Sequence, residues 1–251
     1  MQHRTRDGIE LHVQELGSGP PVVMLHGLLV GNMTTWYFSA ASELAKTHRV
    51  ILFDLRGHGL SARTTSGYDV ATMARDLESI VDDVAREPVA LVGHSYGAVV
   101  ALTFALRHPE RVRKLAIVEA PLPPSHLDEL DAFLGQSPDT MLDALPDVLR
   151  AALVGGGRRG RRFVDAMRFL ATESSLFADL RRAQDVPDDA LTALRCPLLS
   201  VYGTSSSCRP VGARLRRVVP AARHVEIAGG HFLPIEAPIE LTQTLGGFLD
   251  G

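Results

Sequence analysis

Short, continuous apolar runs recur along the chain at 22–25, 50–53, 89–92, 115–118 and 198–202, with a looser one at 224–228. A strand covered on both faces of a parallel sheet needs an apolar side chain at every position, so these runs predict buried parallel strands. Residues 9–14 read differently. After Asp7 and Gly8 they alternate apolar and polar, which predicts an antiparallel hairpin strand at the sheet edge with one wet face. Between the runs the period turns helical: in 69–86, Val70, Met73, Ala74, Leu77, Ile80, Val81 and Val84 share one face. Strands alternating with helices need crossover connections, and so predict an α/β fold with a mostly parallel sheet flanked by helices.

From Pro121 to Arg195 this rhythm breaks. Pro121, Pro123 and Pro124 punctuate the chain, and helical patterns follow at 127–134, 140–153 and 161–180. The pattern predicts a helical cap at 122–195, inserted into a core made of 1–121 and 196–251. Helices over 211–218 and 239–249 complete the core. A chain of 251 residues accommodates this as one domain with its insertion.

Composition changes the picture mainly by exclusion. Hydrophobic residues make up 45% of the chain and charged residues 22%, ordinary values for a globular protein. The net charge of −3 leaves no basic surplus to neutralise phosphates, so no nucleic-acid partner is expected. No apolar run approaches the ~20 residues that span a bilayer, and Met1-Gln2-His3-Arg4 leads straight into strand-like sequence, so a cytoplasmic protein without a membrane partner is expected. Cys196 and Cys208 lack metal-site spacing and read as inert reduced thiols; no metal and no cofactor is expected. Lysine occurs only at 46 and 114 among many arginines, as GC-rich bacterial coding supplies.

Each apolar run ends in residues that carry chemistry. The run 89–92 is followed by Gly93-His94-Ser95-Tyr96-Gly97 and then by the helix-like stretch 98–106. That is the strand, sharp turn and helix in which a Gly-x-Ser-x-Gly motif exposes a nucleophilic serine; glycines two residues away on either side leave room for the turn. The helix start behind it aims backbone N–H groups and a positive dipole end at the reacting centre. Ser95 is the candidate nucleophile. Among ten histidines, His231 in Gly230-His231-Phe232 follows the last predicted strand, where a loop reaches back over Ser95, and is the candidate general base.

Taken together, Gly93 to Gly97, His26-Gly27, Asp54-Leu55-Arg56-Gly57-His58-Gly59-Leu60-Ser61 and Gly230-His231-Phe232 resemble the α/β-hydrolase fold superfamily, over nearly all of the chain outside the cap. The resemblance implies a serine hydrolase with a helical cap. It also implies oxyanion donors on the backbone N–H groups of Tyr96, after the nucleophile, and of Leu28, after His26-Gly27.

In most such relatives an Asp lies a few residues after the glycine that ends the strand at 198–202. Here Gly203 is followed by Thr204-Ser205-Ser206-Ser207-Cys208-Arg209-Pro210, and no carboxylate occurs before Glu226. Glu119 ends the preceding strand, and Val118-Glu119-Ala120-Pro121 is similar to one branch of haloalkane dehalogenases, whose acid sits there. Glu119 is therefore the expected histidine-orienting acid; Ser206 or Ser207 acting through water, or Asp128 from the cap, are the rivals.

A serine nucleophile favours acyl chemistry on an ester, thioester, lactone or activated ketone carbonyl of an apolar small molecule. His26, Leu29, Trp36, Tyr37 and Leu122, with Phe133, Met167 and Phe169, are the expected substrate contacts. The stretch from His26 to Tyr37 is similar to stand-alone hydrolases of bacterial polyketide pathways. The run Gly155-Gly156-Gly157-Arg158-Arg159-Gly160-Arg161-Arg162 reads as a flexible solvated loop, with docking of an acidic acyl carrier protein as its functional alternative. Acyl transfer, cyclisation, C–C bond hydrolysis or lysis, and a non-catalytic receptor role remain open on the same fold.

Overall fold

The computed structural model describes residues 1–122, 140, 147, 150, 151 and 157–251. Eight strands form one sheet in the order β1-β2-β4-β3-β5-β6-β7-β8. They are β1 (Gln2–Arg4), β2 (Glu10–Leu16), β3 (Pro21–Leu25), β4 (Arg49–Phe53), β5 (Val89–His94), β6 (Val112–Val118), β7 (Leu198–Gly203) and β8 (Arg223–Ile227). From β4 to β8 every pairing is parallel, while β1 and β2 run antiparallel. The alternating strand is not the edge that its pattern suggests: three residues near the N-terminus, Gln2–Arg4, pair outside it, a signal too short and too polar to show in the sequence.

Successive residues of the parallel strands feed two cores on opposite faces of the sheet. Val23 and Leu25 of β3, with Ile51, Phe53, Leu91 and Ile117, face one side. Val22 and Met24, with Val50, Leu52, Val92 and Val118, face the other. This two-sided burial is why the runs lack polar alternation. Fully burying such a side chain contributes about 1.5–3 kcal/mol.

The helix predicted at 69–86 begins at Asp69, whose carboxylate accepts from the backbone N–H of Thr72 at 2.9 Å. It runs as Val70–Ile80, continues through one π-helical turn at Val81–Ala85, and stops at Arg86 in the left-handed conformation (φ 64°). The last helix is Pro238–Leu249.

Between β6 and β7 the described residues include helices Gly157–Thr172, Leu176–Arg182 and Asp188–Thr192. The expected helix at 127–134, most of the one at 140–153, and Phe133 and Asp128 lie outside the described residues. From Gly157 onward the basic stretch is helix rather than loop, with Gly160 buried. Leu122, Met167, Leu170, Leu176 and Leu180 join the core that contains Leu29, Tyr68 and Tyr96, so this segment packs onto the C-terminal side of the sheet. Ser175 N–H donates to Thr65 O at 2.8 Å, and Tyr68 N–H donates to Asp179 at 3.1 Å, fastening it to the loop after β4. No helix among the described residues is long and apolar enough to cross a membrane.

Candidate active site

The site is built where β5, β6, β7 and the loop after β8 end. Ser95 sits between β5 and helix Tyr96–Arg107 with φ 53° and ψ −127°, a conformation that a non-glycine residue holds only where its surroundings enforce it. Glycine is required on both sides. A Cβ on Gly93 would collide with the backbone of Ala98, and one on Gly97 with the backbone oxygens of His26 and Leu25. The turn is pinned to the neighbouring strand by Ser95 N–H donating to Val118 O at 2.9 Å.

That register places Glu119 one residue past β6, in the gap between β5 and β7, where its N–H donates to Val201 O at 2.9 Å. Glu119 also has positive φ (57°) and is fully buried. Its carboxylate is not left uncompensated: Oε1 accepts from the N–H of Gly203, and Oε2 accepts from the hydroxyl of Ser206. His231 closes the arrangement. Its Nε2 lies 2.9 Å from Ser95 Oγ and its Nδ1 lies 3.3 Å from Glu119 Oε2. The structure thus brings Ser95, His231 and Glu119 into one hydrogen-bonded line.

Three neighbours of that line carry weaker sequence signals. His94 Nε2 donates to the backbone oxygen of His231 at 2.8 Å, tying the histidine loop to the serine turn. Ser206 does not reach His231 but secures Glu119; its position three residues after Gly203, where an acid is usual among relatives, was the available signal. Cys208 Sγ stands 3.6 Å from His231 Nδ1, a contact that two separate loops create and no local pattern announces. Burial opposes charge on His231, but the acceptors around Nδ1, Cys208 and Glu119, outweigh it and push its pKa up.

The other expected residues divide. Tyr96 opens the helix behind Ser95, with its side chain buried and its hydroxyl donating to Tyr68 O at 3.1 Å. Gly27, the residue before Leu28, packs so close that a Cβ there would meet Ser95 Cβ at 3.0 Å and Ser95 Oγ at 3.5 Å. The Leu28 loop therefore borders Ser95. Leu29, held at φ 63°, and Leu122 are buried in the core on the Tyr96 side.

His26 and Trp36 are placed as scaffold rather than as ligand contacts. His26 Nδ1 donates to Gly27 O at 2.7 Å, its Nε2 accepts from Leu55 N–H at 3.0 Å, and burial depresses its pKa to about 4. Trp36 Nε1 donates to Leu25 O at 2.8 Å, and Tyr37 packs beside Trp36 against the opposite core. His58 braces the same loop, accepting from Leu29 N–H at 2.9 Å, and Asp54 accepts from Met33 N–H at 2.7 Å and Leu60 N–H at 2.9 Å. The Asp54 to Ser61 turn thus clamps the loop after β3.

Comparison with known proteins agrees with this architecture. The model of the alpha/beta hydrolase fold family matches residues 20–153. The 2-hydroxymuconate semialdehyde hydrolase of Pseudomonas sp. (strain CF600) is 30% identical, over 96% of this chain and 91% of the relative. The 2-hydroxy-6-oxo-2,4-heptadienoate hydrolase of Pseudomonas putida is 29% identical, over 96% and 93%. The crystal structure of the enol-lactonase from Burkholderia xenovorans LB400 superimposes with a TM-score of 0.82 at 20% identity, covering 100% of both chains, which shows a shared fold. The chain belongs to the α/β-hydrolase fold family and is one of its hydrolases.

Proposed function

We propose that the chain is a serine hydrolase that forms an acyl-enzyme on Ser95 from an ester, thioester or lactone carbonyl of an apolar small molecule. The observation that carries this reading is the contact of His231 with Ser95 on one ring nitrogen and with buried Glu119 on the other. His231 Nε2 takes the hydroxyl proton as Ser95 Oγ attacks the carbonyl carbon. The imidazolium that forms is held by Glu119, and the oxyanion faces the backbone N–H groups of Tyr96 and Leu28 at the positive end of helix Tyr96–Arg107. Loss of one such donor typically costs about 10²–10³ in turnover. His231 then returns the proton to the departing alkoxide or thiolate, and water enters by the same route in reverse to free the acid and Ser95.

The segment 122–195 serves in this reading as a cap that supplies apolar walls. Its support is the burial of Leu122, Met167 and Leu170 with Tyr96 and Leu29.

A second reading has specific support in two relatives, a 2-hydroxymuconate semialdehyde hydrolase and a 2-hydroxy-6-oxo-2,4-heptadienoate hydrolase. Here the attacked group is the activated ketone of a hydroxy-oxo-dienoic acid. Purified protein is assayed on p-nitrophenyl butyrate and on 2-hydroxy-6-oxo-2,4-heptadienoate. Faster turnover of the ester supports the first reading, and preference for the dienoate supports the second. Failure on both, in protein that is stabilised by ligands but not labelled by a fluorophosphonate, refutes the enzyme assignment in favour of a receptor.

A further inference from the structure

Cys208 takes no part in the proton path just described, yet it stands against the nitrogen that Glu119 orients. Its Sγ is 3.6 Å from His231 Nδ1, Glu119 Oε2 is 3.3 Å from the same nitrogen, and ligand atoms of the three residues all lie within 4.8 Å of one another. Among the described residues this is the one such group of three. Glu119 is sealed, Cys208 is half-buried and the His231 side chain is 29% exposed, so the cluster is accessible from the histidine side and closed behind.

We propose that Glu119 Oε2, Cys208 Sγ and His231 Nδ1 form a site for a thiophilic divalent cation of the zinc class, and that its occupation switches the serine centre off. The distances carry the argument. A tetrahedral zinc with bonds of about 2.3 Å to sulfur and about 2.0–2.2 Å to nitrogen and oxygen separates a sulfur and a nitrogen ligand by about 3.6 Å, and a nitrogen and an oxygen ligand by about 3.4 Å. The observed edges are 3.6 Å and 3.3 Å. The donors suit the ion in kind as well. Thiolate, imidazole and carboxylate favour zinc over the oxygen-seeking magnesium and calcium, and two anionic ligands balance a divalent charge in a buried place.

Each ligand is already held by a further contact. Glu119 accepts from Gly203 N–H and Ser206 Oγ. Cys208 N–H donates to Ser206 Oγ at 3.0 Å, and the His231 carbonyl accepts from His94 at 2.8 Å. Such outer contacts fix ligands before the metal arrives. Three protein ligands leave a fourth position for water.

Binding has a defined proton balance. The Cys208 thiol loses its proton to solvent, and His231 gives the Nδ1 lone pair to the metal, so its remaining proton sits on Nε2. A protonated Nε2 cannot accept from Ser95 Oγ. Only this inhibitory half of the inference rests on the assignment of Ser95 as nucleophile; the metal site itself does not.

The test has two arms on chelator-treated, full-length protein. In the first, cobalt(II) is added as a chromophoric probe. A thiolate-to-cobalt band with intense visible absorption is expected in the wild type and in Cys196→Ala, and is expected to be absent in Cys208→Ala. In the second, zinc is titrated against fluorophosphonate labelling of Ser95, scored within each variant as the rate with zinc over the rate without. Zinc is expected to slow wild type and Cys196→Ala by about a hundredfold or more, because a serine without its base loses most of its reactivity, and to spare Cys208→Ala. A wild type without the cobalt band, or a band and zinc sensitivity that survive in Cys208→Ala, overturns the site. A cobalt band together with zinc-insensitive labelling overturns the switch. Absence of labelling before any metal is added counts against the nucleophile, and the cobalt arm still decides the site.

Discussion

Replacing Glu119 with Gln removes one charge at nearly constant shape. The carboxylate lies 3.3 Å from His231 Nδ1 and is fully buried, so water does little to screen the pair that forms when His231 takes the serine proton. At an effective dielectric constant of about 20, two unit charges at that distance attract by about 5 kcal/mol. If this stabilisation is present in the transition state and absent before it, its loss slows acylation by about 10³–10⁴. A second effect acts in the same direction: the new amide can donate to Nδ1, which drives the ring proton to Nε2 and blocks it as a base. The fold should tolerate the change, because the Gln oxygen still accepts from Gly203 N–H. Stopped-flow labelling with a fluorophosphonate and steady turnover of p-nitrophenyl butyrate measure the loss, and a melting curve checks the fold. Activity within tenfold of wild type in folded Glu119→Gln would refute the assignment of Glu119 as the orienting acid.

Two further outcomes follow from the same geometry. Because Ser206 Oγ touches Glu119 Oε2, an Asp at 206 brings a carboxylate to the same pocket, so adding Ser206→Asp to Glu119→Gln should recover at least about tenfold of the lost labelling rate, part of the charge stabilisation; a double variant no faster than the single one contradicts this. Buried His26 and His58 are held neutral, with pKa values depressed from 6.5 to about 4 and about 3, so the unfolded chain binds more protons below pH 6.5 and stability falls as pH drops from there towards those values. At pH 5 the two together cost about 4 kcal/mol relative to pH 7.5 by linkage; buried His94, with its pKa depressed to about 3, adds to the loss, and His231, whose pKa is raised, opposes it. Asp54, which faces His58 and whose pKa burial raises, opposes this loss only once it begins to bind a proton. Urea unfolding at the two pH values measures the difference, and a flat profile contradicts it.

The strands from β3 to β7 were legible because burial on both faces writes itself as apolar runs, and the runs stop where chemistry begins; β8 carries Arg223, His224 and Glu226 with only Ile227 buried, and shows as a looser run. The placement of Ser95 and His231 in contact could be anticipated for the same reason: a serine turn between strand and helix, and a histidine after the last strand, both open on the C-terminal edge of a parallel sheet. Glu119 was reached by the lack of any carboxylate between Gly203 and Glu226 together with its place at the end of the apolar run 115–118 and the similarity of Val118-Glu119-Ala120-Pro121 to one branch of haloalkane dehalogenases. What the pattern concealed has physical causes. Gln2–Arg4 pairs through backbone groups that any sequence carries, and Gly157–Arg162 looks like a loop, rich in glycine and arginine, although it opens helix Gly157–Thr172. His26 resembled a substrate contact because a histidine beside a glycine-rich loop does not show where its two nitrogens bond. The meeting of Cys208 with His231 depends on how the loops after β7 and β8 converge, which local sequence does not encode.

The central claim is that Ser95 carries the acyl group, and the most direct measurement is the intact mass of the protein mixed with p-nitrophenyl butyrate and acid-quenched during the first turnover. The account predicts a mass increase of one butyryl group, mapped by peptide fragmentation to Ser95 and absent from Ser95→Ala. An unmodified wild type that still turns the ester over, or an adduct on any other residue, would contradict it.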